Sequence, residues 1–363
     1  MKLFLCGDVM TGRGIDRILP HPGDPRLYES YVKSADGYVE LAEGVSGEIP
    51  RRVAPDYIWG DALAEIATRK PDARIVNLET AVTARGTPEP KGINYRMHPE
   101  NIACLTAAGI DCCVLANNHI GDWGLPGALD TVDALEAAGI AIAGAGRDAG
   151  LAAQPAILET PAGRLLVFAI ATPSSGVPAN WAARPDRAGV SFLADFEDAS
   201  FRRIAEAVRA WRRDGDTVIV SIHWGPNWGY DVPVVHRRFA RRLIEEAHAD
   251  VVHGHSAHHP LGVELHAGRP VLYGCGDFIN DYEGISGHEE FRSELTLAWL
   301  LDYDIAARRL RSLEMIPFRL RRFRLERARG DDAGWLAETM DRECRAFGVR
   351  VDLTADETLA LAL

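Results

Sequence analysis

Acidic, amide and imidazole side chains recur at the ends of short apolar runs in this 363-residue chain. Five places stand out: Gly7-Asp8-Val9-Met10, Asn77-Leu78-Glu79-Thr80, Asn117-Asn118-His119, His223-Trp224-Gly225, and the stretch from His253 to His259, which holds His253, His255, His258 and His259. Asp, Glu, Asn and neutral His bind divalent transition metals through oxygen and nitrogen. The same side chains serve as general acids and bases. One such residue at a strand end is ordinarily a turn or capping residue. Five clusters in one chain point to a single convergent site.

A scaffold must bring these clusters together. Residues 3–9, 74–78, 111–116, 140–143, 164–171, 217–222, 250–252, 270–273 and 295–303 read as apolar strands. Helical spacing appears between them over 57–68, with Ile58, Ala62 and Ile66, and over 99–108, 127–138 and 237–247. Residues 201–213 place Ile204, Val208 and Trp211 on one helix face. The alternation predicts an α/β sandwich with helices outside a largely parallel sheet. Ligands of such folds sit at the carboxyl ends of the strands, where the clusters lie. Residues 20–55 show no clean period and read as a long surface excursion. The expected organisation is one domain over 1–318 and a helical appendage over 319–363, with a helix at 333–347.

The composition is ordinary for a globular chain: 47% hydrophobic and 25% charged. Forty basic residues against 52 acidic ones leave a net charge of −12, which argues against a nucleic-acid binder. The arginines at 308, 309, 311, 319, 321, 322 and 324 read as a solvated strand edge or an anion-binding lip. None of the six cysteines forms a C-x-x-C pair, and most lie in apolar runs. A reducing, cytoplasmic setting is expected. The apolar start of the chain is too short for a signal peptide or a span, so no membrane insertion is expected.

Taken in order, these motifs resemble the CapA-type proteins named for poly-γ-glutamate capsule synthesis, which have the calcineurin-like metallophosphoesterase fold. The resemblance runs from Met1 to about Asp304 and includes Asp122, Gly124 and Tyr273-Gly274-Cys275-Gly276-Asp277-Phe278. It implies Asp8, Glu79, Asn118, His223, His255 and His258 as metal ligands, with His119 as the nearby acid. Asp8 and His255 would then be catalytic as well. One or two divalent ions (Mn, Zn or Fe) are implied. Three departures stand out. Met10 replaces the histidine of the usual D-x-H, and a thioether is a poor partner for a hard ion. Glu79 replaces an aspartate. Two residues rather than one separate His255 from His258.

The residues therefore admit three functions. One is a metalloenzyme acting on a peptide, polyglutamate or phosphorylated substrate. The second is a metal-free acid/base enzyme such as a peptide epimerase, using a carboxylate and histidines on one pocket. The third is a binding protein without turnover. The partner expected in each case is a peptide or small anionic molecule. Asp277 is expected to orient a histidine. Glu79 has a plainer reading as an ion-pair partner of Arg74 or Arg96. Arg13, Asn117, Trp224 and Trp228 are the candidate substrate contacts. Arg13 suits a carboxylate or phosphate clamp, or else a salt bridge to Asp16.

Overall fold

The computed structural model describes residues 1–362. Two sheets face each other. The first has ten strands, and towards one edge it runs Arg309–Arg321, Leu295–Asp304, Lys2–Val9, Ala73–Leu78, Cys112–Val114 and, at the edge itself, Ala141–Ala143. The last four of these are mutually parallel. Leu295–Asp304 joins Lys2–Val9 antiparallel and turns the sheet mixed. The second sheet has six strands. Its parallel centre comprises Gly163–Ala171, Thr217–His223, Val251–His255 and Arg269–Leu272, with antiparallel Ala156–Thr160 and Val263–His266 at the edges.

Side-chain parity explains the layers. Along Gly163–Ala171, Leu165, Val167, Ala169 and Ala171 enter the core shared with the first sheet. Leu166, Phe168 and Ile170 point the other way and pack on Phe201, Ile204, Val208, Phe239 and Leu243. Those five belong to helices Asp198–Trp211 and Val234–Glu245, which cover the outer face. Strands buried on both faces read as continuous apolar runs, as these do. The architecture is the α/β sandwich with outer helices that the resemblance implies, with the parallel strands running to one edge of the first sheet and forming the centre of the second.

Several elements differ from the sequence reading. The helix expected over 57–68 is split into Tyr57–Trp59 and Ala62–Arg69. Gly60 breaks it at φ +45°, and a Cβ there would lie 2.1 Å from the Leu325 carbonyl oxygen. Trp211 is 36% exposed at the end of its helix rather than on the buried face. The excursion over 20–55 contains the helix Asp36–Ser46, which buries Tyr38, Val39 and Ala42.

The boundary drawn at 318 falls inside the strand Arg309–Arg321, so the segment beyond it is not a separate helical appendage. The following chain pairs Arg324–Arg327 and Leu359–Ala362 with that same strand. Helix Asp331–Arg345 buries Leu336, Met340 and Cys344 in the shared core. The backbone N–H of Val263, in the second sheet, donates to Cys344 Sγ. All six cysteines are free and buried. Among the described residues, no helix is long and apolar enough to cross a membrane.

Because Leu336 is fully buried in the shared core, Leu336→Ala lowers the stability of the whole chain by about 2–5 kcal/mol. Chemical denaturation followed by tryptophan fluorescence and far-UV circular dichroism reads this as one shifted transition. A separate early transition, with the main one unmoved, would make the C-terminal segment an independent unit.

Candidate functional site

Strand register assembles the site. Asp8, at the end of Lys2–Val9, lies opposite Asn77 on one neighbouring strand and Asp277 on the other. In the second sheet His223 lies opposite His255. All five clusters sit at the carboxyl ends of parallel strands, so the ends of both sheets point the same way. Close approach is needed around Asp8: a Cβ at Gly7 would lie 1.8 Å from the Gly276 carbonyl oxygen. Ser256 sits between the two histidines of the last motif in a left-handed conformation, φ +106°. That strain costs about 1–3 kcal/mol and turns the backbone so that His258 as well as His255 reaches Asp8.

Like charges crowd here. Asp8, Glu79 and Asp277 are all buried. Asn77 Nδ2 donates to Asp8 Oδ1 at 2.7 Å and to Glu79 Oε2 at 3.0 Å. Burial, and then Asp277 beside it, raise the Asp8 carboxyl to about 7. Burial and Asp8 push Glu79 well above its usual range. Burial also raises Asp277, against the pull of His258. His258 and Asp277 are joined through Nδ1 and Oδ1 at 2.8 Å. Burial opposes the charged imidazole, but the Asp277 carboxylate outweighs it and His258 is raised.

The other histidines are neutral. Burial pulls His223 and His255 well below the usual range. Their Nδ1 atoms lie 2.7 Å apart, and His223 Nε2 lies 2.8 Å from Asn118 Oδ1. His119 is held through Nδ1 by Asp122 at 2.6 Å, and its Nε2 faces Glu79 at 3.7 Å. Burial lowers His119 to about 4. Lys91 Nζ donates to the second oxygen of Asp122 at 2.7 Å.

One buried oxygen is left over. Asp8 Oδ2 has no hydrogen-bond partner. A buried carboxylate oxygen without a partner is expensive. Asp8 also belongs to two groups whose donor atoms lie within 4.8 Å of one another: Asp8, His223 and His255, and Asp8, His258 and Asp277. Carboxylate oxygen and neutral imidazole nitrogen suit a divalent transition ion, so the residues fit a metal at this point.

The remaining candidates fall in different places. Glu79 makes no pair with Arg74, which bonds Asp111, or with Arg96, which lies over the Trp123 ring. Trp228 lines a cavity of about 430 Å³ beside His258, with Tyr31, Ile93, Tyr282 and Ile285. Its ring stacks on His288 at 4.0 Å. Trp224 does not reach the site. It follows His223 on the strand, so its side chain faces the opposite way. There it stacks on His236 at 4.6 Å, and its Nε1 donates to the Tyr273 carbonyl. Asn117 is buried and fully engaged: it donates to Asn77 and Leu78 and accepts from the His119 and Ile120 N–H groups. It shapes the turn that carries His119 rather than facing a substrate. Arg13 pairs with Asp281 and Glu29, not with Asp16, and also donates to Tyr38. It borders the cavity with its donors already engaged, so it is no free anion clamp.

The sequence reading missed Lys91, which lies in an exposed loop with no pattern. It gave Asp122 no role, although a carboxylate three residues after His119 was a signal for an imidazole partner.

His236 supplies a check on the Trp224 stack. Its pKa is lowered to about 4 by burial, against about 6.5 in the unfolded chain. The unfolded state therefore takes up this proton first, and stability falls as pH drops from about 6.5 towards 4. One such proton contributes a slope of up to about 1.4 kcal/mol per pH unit. His236→Phe removes that part of the slope in urea melts at pH 7.5 and 4.5. An unchanged pH dependence would mean that the ring is solvated.

The model of the family "Bacterial capsule synthesis protein PGA_cap" matches residues 2–282. A protein of Mycobacterium tuberculosis named "Probable polyglutamine synthesis accessory protein" is 49% identical over 366 residues, covering 99% of this chain and 95% of its own length. The "PGA biosynthesis protein CapA" of Bacillus subtilis is 25% identical, over 77% of this chain and 63% of its own. The "Capsule biosynthesis protein CapA" of Bacillus anthracis is 24% identical, over 77% and 60%. With the two-sheet sandwich and the strand-end cluster in place, these matches put the chain in the bacterial capsule synthesis protein family, within the metallophosphoesterase-like superfamily.

Proposed function

We propose that the chain is a metal-dependent enzyme that cleaves or transfers an amide-linked chain such as a polyglutamate, in keeping with the polyglutamine and PGA synthesis that its relatives' names mention. The observation that carries this reading is the unpartnered, buried Asp8 Oδ2 at the point shared by two histidine-bearing groups. Asp8, His223 and His255 would hold one ion, supported by Asn118 and Glu79. Asp8, His258 and Asp277 would hold a second. Met10 offers no such ligand, and the group completes itself with an oxygen of Asp277 instead. A divalent ion bound there supplies Lewis-acid polarisation and a water acidic enough to attack near neutral pH.

The chain's own groups do the rest. His119, neutral and fixed through Nδ1–H by Asp122, presents its Nε2 lone pair to the site, where it can take the proton of the attacking water and pass it to a leaving nitrogen or oxygen. Lys91 balances the charge of Asp122. The cavity beside His258 holds the body of the substrate. Its walls include Trp228, Tyr282, Tyr31, Ile93 and Ile285, and its arginines are paired: Arg13 with Asp281 and Glu29, Arg292 with Glu294 and Asp332. Such walls suit a neutral amide backbone better than a phosphate. Glu79 and His119 face each other at 3.7 Å, too close to flank a substrate carbon, so that pair does not serve a metal-free epimerase.

Elemental mass spectrometry of protein purified without chelator or a metal-binding tag tests the reading. A stoichiometric transition metal is expected in the wild type, with loss in an Asp8→Asn, His223→Ala double variant that keeps its far-UV spectrum. No metal in either, even after incubation with manganese or zinc, overturns it.

His119→Ala separates the roles. Turnover of α- or γ-linked glutamyl oligomers falls by about 10²–10⁴-fold, the size of a general-acid contribution, while metal content stays level. Loss of metal in this variant would make His119 a ligand instead.

A further inference from the structure

A chain of buried hydrogen bonds runs from the first sheet to His255, and its direction follows from its end. The backbone carbonyl of Cys6 can only accept, and it lies 2.9 Å from His253 Nε2. His253 therefore carries its proton on Nε2. His253 is fully buried, and no carboxylate hydrogen-bonds it. It is thus neutral. A neutral imidazole has one donor and one acceptor, so His253 Nδ1 accepts. Its partner is Ser221 Oγ at 3.1 Å. The single hydroxyl proton of Ser221 is then committed to His253. The remaining contact of Ser221 Oγ, with His255 Nε2 at 2.8 Å, must run the other way, with His255 donating.

We infer that Ser221 and His253 are positioning residues: they hold His255 as its Nε2–H tautomer and aim its Nδ1 lone pair at the metal site. This rests on the metalloenzyme reading only in what the lone pair is for. The chain of donors stands without it. The strand geometry supports the assignment. Ser221 and His223 alternate with outward-facing Val220 and Ile222, and Ser221 lies opposite His253 as His223 lies opposite His255. The four polar residues thus form a square between the sheets, with one corner tied to the first sheet through Cys6.

The far side of the pair is set in the same manner. Asn118 Oδ1 faces His223 Nε2 at 2.8 Å and accepts its proton. Both histidines are then Nε2–H tautomers, with their Nδ1 atoms 2.7 Å apart. Two lone pairs at that separation repel unless a cation lies between them. A divalent ion bound between them would relieve that repulsion.

The test is the tautomer itself, read in metal-stripped protein with ¹⁵N-labelled histidine by long-range ¹H–¹⁵N correlation. The expected wild-type spectrum shows His253 and His255 protonated on Nε2. Ser221→Ala should shift His255 towards a mixture of tautomers. It should also weaken binding of Mn²⁺ or Zn²⁺ by about 10–100-fold in competition with a chromophoric chelator, the usual effect of losing a group that orients a ligand. Ser221→Thr, which keeps the hydroxyl, should restore both.

A wild-type His255 protonated on Nδ1 overturns the proposal, and that result needs no variant to fold. An unchanged His255 tautomer in a folded Ser221→Ala protein overturns it too. Wild-type protein that binds neither ion, yet shows the expected tautomers, refutes the metalloenzyme reading and upholds the relay.

Discussion

The structure turns on one awkward arrangement: the carboxyl groups of Asp8, Glu79, Asp122 and Asp277 and the imidazoles of His119, His223, His255 and His258, held out of water between the ends of two sheets. Clustered carboxylates repel, and burial penalises each charge. Each is therefore tied down. Asn77 bridges Asp8 and Glu79, Asp277 is paired with His258, and Asp122 anchors His119. Even so Asp8 keeps one oxygen without a partner. Groups that a fold holds in such a state are candidates for function, because packing alone would replace them with apolar side chains.

The sandwich serves this arrangement. Parallel strands deliver their carboxyl ends to one edge, and register sets neighbours across the strands, Asp8 beside Asn77 and Asp277, His223 beside His255. Glycine at 7 lets two strand ends approach closely, and the left-handed Ser256 lets one loop present two histidines. The C-terminal strands and helix extend the first sheet, add to the shared core and, through Asp332, hold Arg292 beside the cavity.

Much of this was legible in the residues. The strand-end clusters were visible as polar residues closing apolar runs, and hydrophobic periodicity marked most helices. Trp224 was misread because its neighbour His223 lies in the site, while alternation along a strand sends adjacent side chains to opposite faces. Arg13 was misread because its partners, Glu29 and Asp281, lie in an unpatterned excursion and in a distant loop. Neither spacing nor residue type reveals such long-range pairs. The antiparallel flanks escaped notice because a strand's direction depends on its connections, which composition does not encode. The relay through Ser221 and His253 was hidden for another reason: single serines and histidines in apolar strands have no signature until register sets them side by side.

The ion-paired state of Arg13 and Arg292 has a consequence for how a polymer would arrive. The chain carries a net charge of −12, and the arginines that line the cavity are already paired with carboxylates. An anionic polymer approaching in dilute buffer meets repulsion and no compensating attraction at the entrance. At physiological ionic strength the screening length is about 8 Å, so the repulsion shrinks to contact range. Under the proposed function, capture of such a polymer would therefore quicken as salt is added, the reverse of the usual behaviour for a protein that draws anions in with exposed arginines.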